Sequence, residues 1–147
     1  MKIYNARYLD NNQRLLVAII TGFIAAILFG SLYGLITSFI HVSFSAMFVA
    51  VGYGVASVIK HFGKGVHTRF MVVGAITTTF AIFLGDMMSV YSVPRFASLL
   101  LSGNFSFVGV FFVAWLRSMA SADVSGILSL AFRLIGIYIG YTQSVIL

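Results

Sequence analysis

Residues 15–40 read LLVAIITGFIAAILFGSLYGLITSFI, 26 positions without a charged side chain. A run of 18 or more apolar residues is the mark of a transmembrane helix, because only a helix satisfies its own backbone in hydrocarbon. At 1.5 Å per residue it would be about 39 Å long, beyond the roughly 30 Å hydrocarbon thickness, so it tilts or projects. Within it, Ala18, Gly22, Ala26, Gly30 and Gly34 recur every fourth position and so share one helical face. Small residues at that spacing let two helices approach closely, which is how helices associate in lipid. The stripe packs either against the chain's own bundle or against a second copy or partner. Shorter pairs follow: Ala46, Ala50 and Gly54; Ala81 and Gly85; Gly136 and Gly140.

The rest of the chain agrees with a membrane address. Of 147 residues, 61% are hydrophobic and 8% charged, with a mean hydropathy of +1.06. A soluble domain carries about 25% charge and could not cover so apolar a core. The runs are continuous and lack period-2 alternation, which argues against a membrane β-barrel. The first run is too long for a signal-peptide core and no small-x-small cleavage site follows, so it reads as a retained span.

The expected architecture is all-α, an integral membrane bundle following a cytoplasmic segment of residues 1–14. Four spans fall at 15–40, 43–59, 70–88 and 124–142, the first two joined through His41 and Val42. The stretch 97–116 is uncharged but broken by Ser102-Gly103-Asn104, with Pro94 upstream. Its unbroken part, 105–116, would reach only about 18 Å and reads as a partial interfacial or re-entrant helix. A five-span arrangement is the alternative. Lys2, Arg7, Arg14, Lys60, Lys64 and Arg69 gather on one side, against Arg95 and Arg117 on the other. That excess places the N-terminus in the cytoplasm. Five spans would move Arg117 inward and strengthen the bias further.

Arg133 stands inside the apolar segment Ile127–Gly136, where a central charge costs at least about 2.5–3.5 kcal/mol on insertion scales. It must therefore face protein or a cavity, and Asp86 is the acidic residue near enough to a span to pair with it. Together with Thr78 of the run Thr77-Thr78-Thr79, these make the candidate intramembrane polar site. It serves as a structural ion pair or as a place for an anionic solute or headgroup. Small residues at Ala18, Gly22, Ala26, Gly30, Gly34, Gly136 and Gly140 are the candidate helix-packing positions.

Other chemistry finds no support in the residues. Cysteine is absent, and His41, His61 and His67 lack a ligand-like spacing, so no metal or other cofactor is expected. No carboxylate pair, phosphate loop or G-x-S-x-G motif occurs, so no catalytic residue is expected. The net charge of +6 follows membrane orientation rather than nucleic acid, and the basic loop suits anionic lipid.

The Gly-rich end of the first span, Val51-Gly52-Tyr53-Gly54-Val55-Ala56, the Lys-and-Gly loop, Phe83-Leu84-Gly85 and Gly136-Ile137-Tyr138-Ile139-Gly140-Tyr141 carry a resemblance. Over about half the chain it resembles small bacterial four-helix membrane proteins of unknown function, some with an added zinc-ribbon segment that this chain lacks. The resemblance implies a bacterial polytopic protein and carries over no site residue. The expected role is a non-enzymatic subunit of the bacterial inner membrane, embedded in the lipid bilayer, that forms a homo-oligomer or joins a membrane complex. A small transporter or channel for an ion or anionic solute, with Arg133 in the pathway, is the alternative.

Overall fold

The computed structural model describes residues 10–40, 45–120 and 123–146. Lys2, Arg7, His41 and Val42, used above for orientation and for the first turn, lie outside them. The described residues form six helices: α1 Asn11–Ile40, α2 Met47–Gly63, α3 Thr68–Tyr91, α4 Val93–Leu101, α5 Ser106–Met119 and α6 Val124–Gln143. The chain is all-helical, and α1, α3 and α6 are long and apolar enough to cross a membrane.

Local chemistry moves several boundaries from their expected places. Helix α1 starts four residues before the apolar run because Asp10 caps it. The Asp10 carboxylate accepts from the Asn11 N–H at 2.8 Å, and Gln13 Oε1 accepts from the Asp10 N–H at 3.3 Å. This Asp-x-x-Gln pair is a capping-box variant. Helix α2 begins and ends about four residues later than expected. Its last turn takes in Lys60, a cation suited to a helix C-terminus. Lys64 closes it in the left-handed conformation (φ 45°), its N–H donating to the Lys60 carbonyl. Helix α3 runs on to Tyr91 and stops at Ser92, whose φ of 60° breaks the helix just before Val93-Pro94. Helix α5 covers most of the stretch 105–116 expected as a partial helix, and a helix that was not expected, α4, with proline in its first turn, precedes it across a turn at Gly103.

Four helices alternate in direction. Gly63 of α2 lies against Ala18 and Gly54 against Phe29, so α1 and α2 are antiparallel. Gly22, Gly30 and Gly34 meet Thr77, Ala81 and Met88 in order, so α1 and α3 are parallel. Helix α6 is antiparallel to α3. Arg133 reaches Asp86 at the upper end, which holds Ile40, Met47 and Tyr91. At the lower end Gly140 and Ser144 pack on Gly74, and the Ile146 N–H donates to the Gly65 carbonyl at 3.1 Å. Because α3 ends and α6 begins at the same end, α4 and α5 make an excursion there and return.

The small-residue stripe of α1 faces inward along its length. A Cβ added at Gly30 would stand 2.6 Å from the Ala81 carbonyl oxygen, and one at Gly34 would stand 2.6 Å from Met88 Cβ. Ala18 and Ala26 are fully buried beside them. Gly52 and Gly136 bring α2 and α6 into backbone contact. The opposite stripe of α1, Leu16, Ile20, Ile24, Leu28 and Leu32, is exposed on the outer surface.

Gly30→Val is expected to lower stability by about 1–3 kcal/mol, since the added atoms meet backbone that cannot turn aside. Among the described residues nothing lies within 4 Å of a Cβ at Gly109 in α5, so Gly109→Ala should instead raise stability by about 0.5–1 kcal/mol. Thermal unfolding of both variants in one detergent measures the contrast.

Candidate functional site

Asp86 lies five residues before the end of α3 and Arg133 nine residues into α6. Arg133 Nη2 donates to Asp86 Oδ2 at 2.9 Å, and the two side chains are 12% and 11% exposed. Two further helices contribute donors to the same carboxylate. Trp115 Nε1, from α5, donates to Oδ2 at 2.8 Å, and the Tyr33 hydroxyl, from α1, donates to Oδ1 at 3.4 Å. The guanidinium lies 5.2 Å from the Phe48 ring centroid and 5.7 Å from that of Trp115. Both are cation–π distances, and such contacts strengthen where water is excluded.

The carboxylate is thus well supplied and the guanidinium is not. Arg133 Nε is buried without a hydrogen-bond partner among the described residues. Beside the pair lies a cavity of about 420 Å³. Tyr33, Phe48, Phe111 and Trp115 wall it, and Ser45, Ser89 and Ser129 line it toward the upper end. Its volume falls within the roughly 300–1,000 Å³ of small-ligand sites, and its mostly apolar wall with a few polar groups is the usual composition of such sites. Toward the lower end the bundle is filled by Val55, Ile59, Ala81 and Ile82, all buried. The cavity therefore does not continue between these residues toward the lower end.

Helix α5 is held over this cavity by its aromatic side chains. Phe83 of α3 meets Phe111, Phe112 and Trp115 at centroid distances of 5.5, 6.0 and 5.3 Å. Tyr91 meets Phe107 and Phe111. Edge-to-face geometry at these distances is favourable.

The structure brings Asp86 and Arg133 together and leaves Thr78 elsewhere. Thr78 lies eight residues below Asp86, about 12 Å along the helix, packed against Gly140 with its hydroxyl unpartnered among the described residues. Thr77 and Thr79 donate to the Val73 and Ala75 carbonyls, the usual resting place of a hydroxyl in an apolar helix. The expected grouping of Thr78 with the pair is corrected accordingly: it belongs to the α3–α6 packing contact. Gly136 and Gly140 also lie in helix contacts, against Phe48 and Thr78. Tyr33, Phe48 and Trp115 were not anticipated. The signal for Trp115 was its indole N–H, which needs an acceptor once buried.

Comparison with known protein families, with curated proteins and with solved structures finds no match for this chain.

Removing one partner of a buried pair costs about 3–5 kcal/mol, whereas replacing both by apolar side chains is often near neutral. Arg133→Leu or Asp86→Leu alone is therefore expected to destabilise by that amount, and the double replacement by much less. Thermal unfolding of the four proteins gives the coupling energy. Trp115, the sole tryptophan, should shift its emission whenever Asp86 is replaced.

Proposed function

We propose that the protein is a non-enzymatic transporter or carrier subunit of a bacterial inner membrane that takes up a small solute bearing an anionic group at the Arg133–Asp86 site. The observation that carries this reading is the 420 Å³ cavity against a guanidinium with an unpartnered Nε, inside a bundle of apolar helices. Ion pairs at membrane depth that border a cavity are the usual mark of a solute site.

The proposed topology has four crossings, by α1, α2, α3 and α6. Helix α2, at 17 residues, spans about 25 Å, short but within what local thinning accommodates. The antiparallel course of α3 and α6 favours four crossings over five, since a fifth would run α6 parallel to α3. Arg14, Lys60, Lys64 and Arg69 share the lower end, which the positive-inside rule assigns to the cytoplasm together with the N-terminus.

Assembly with a second copy or a membrane partner is the second reading. Its original motive, the α1 stripe, is occupied within the bundle, and the surface that favours it is now α6. That helix is the least covered of the three long ones and exposes Ile127, Leu128, Leu134 and Ile135. A single mass of one chain in mild detergent, with no cross-linked dimer, would remove this reading.

Two measurements test the leading proposal. In nanodiscs, iodide should quench Trp115 more than caesium does, and the preference should vanish in the Asp86→Leu/Arg133→Leu double variant. Equal quenching by the two ions in the unmodified protein would overturn it. A reporter fused after Leu147 should be cytoplasmic for four crossings and external for five.

A further inference from the structure

A second cavity, of about 410 Å³, lies between α3 and α5. Ile76, Thr79, Phe80 and Phe83 line it from α3, and Phe112 and Trp115 from α5. The Thr79 hydroxyl is turned onto the Ala75 carbonyl at 2.8 Å, so this groove offers little beyond hydrocarbon and ring surface. Trp115 borders both cavities: its indole N–H faces the Asp86 carboxylate, and its ring also walls the groove.

The two cavities are arranged by depth. The polar one sits near the upper end, beside Asp86 and the serines. The groove follows α3 from Phe83 down to Ile76, about 10 Å toward the middle of the bundle. A lipid-like molecule in a leaflet has the same order, its head outward and its chain inward. Charge narrows the head. Arg133, which lines the cavity, attracts an anion, but Asp86 beside it makes the pair neutral overall. A singly charged carboxylate is accommodated there more readily than a doubly charged phosphate. Size narrows the tail. Each cavity lies in the lower half of the small-ligand range, which suits one chain rather than two.

We infer that the ligand of this site is a single-chain amphiphilic carboxylic acid, its carboxylate on Arg133 and its chain in the α3–α5 groove past Trp115. This rests on the reading of the Arg133–Asp86 cavity as a binding site. Helix α5 then has a definite task, since it forms one wall of both compartments.

The test uses the full chain in phosphatidylcholine nanodiscs, with Trp115 fluorescence read against bromine-labelled stearate. Stearate should quench saturably, whereas bromododecane, which has no head, should quench only in proportion to its partitioning. Arg133→Lys keeps the charge but loses the planar fork, and should raise the stearate midpoint about tenfold. Thr79→Phe, which fills the groove, should raise the stearate midpoint severalfold and leave the iodide response intact. If stearate quenches without saturation while iodide still shows its preference over caesium, the amphiphile inference fails and the anion site stands. If neither probe shows a specific response, both fail. Stearate midpoints unchanged in both variants would also overturn the inference.

Discussion

In hydrocarbon an apolar side chain gains nothing by leaving lipid for protein, so the helices of this bundle are held by close contact. That constraint explains where its glycines lie. Gly30 and Gly34 put α1 against the backbone of α3, Gly52 and Gly136 join α2 to α6, and Gly74 and Gly140 join α3 to α6. Each contact brings two helices to a separation that a side chain in place of the glycine would forbid. Large residues are left to the lipid-facing side, as the exposed Leu16–Leu32 stripe of α1 shows. A buried position in this protein is therefore often occupied by a small residue, the reverse of a soluble core.

The polar site depends on the same contacts, because they set the height of one helix against another. Gly140 is fixed opposite Thr78 at the lower contact between α3 and α6. From that level Asp86 is eight residues up α3, about 12 Å, and Arg133 is seven residues up α6, about 10 Å. The pair meets because those two intervals nearly match. A slip of one turn, about 5.4 Å, would take the guanidinium off the carboxylate and leave two charges in a low-dielectric interior. Packing and electrostatics thus specify one register, and each penalises departure from it.

How much of this was legible in the sequence depends on the kind of interaction. The α1 stripe was readable because a four-residue period is a property of one helix. Which surface it meets was not, since that depends on the placement of α3. The Asp86–Arg133 pairing was readable because so few acidic residues lie near a span. Trp115, Tyr33 and Phe48 come from three different helices and converge only in three dimensions. Thr78 was drawn into the site by its polarity, whereas its hydroxyl lies in a packing contact with Gly140. Boundaries were displaced by capping at Asp10 and Lys64, effects of single residues that a count of apolar positions overlooks.

The partial helix α5 follows from the site it covers. With 14 residues it reaches about 21 Å, too short for an ordinary crossing of the hydrocarbon core. It is long enough to screen the depth at which Asp86 and Arg133 lie. Without it their outer side would lack the protein groups that solvate the charges. Trp115 performs that solvation directly, as donor to the carboxylate and as ring beside the guanidinium. Helix α5 is attached mainly through aromatic rings and that one indole hydrogen bond.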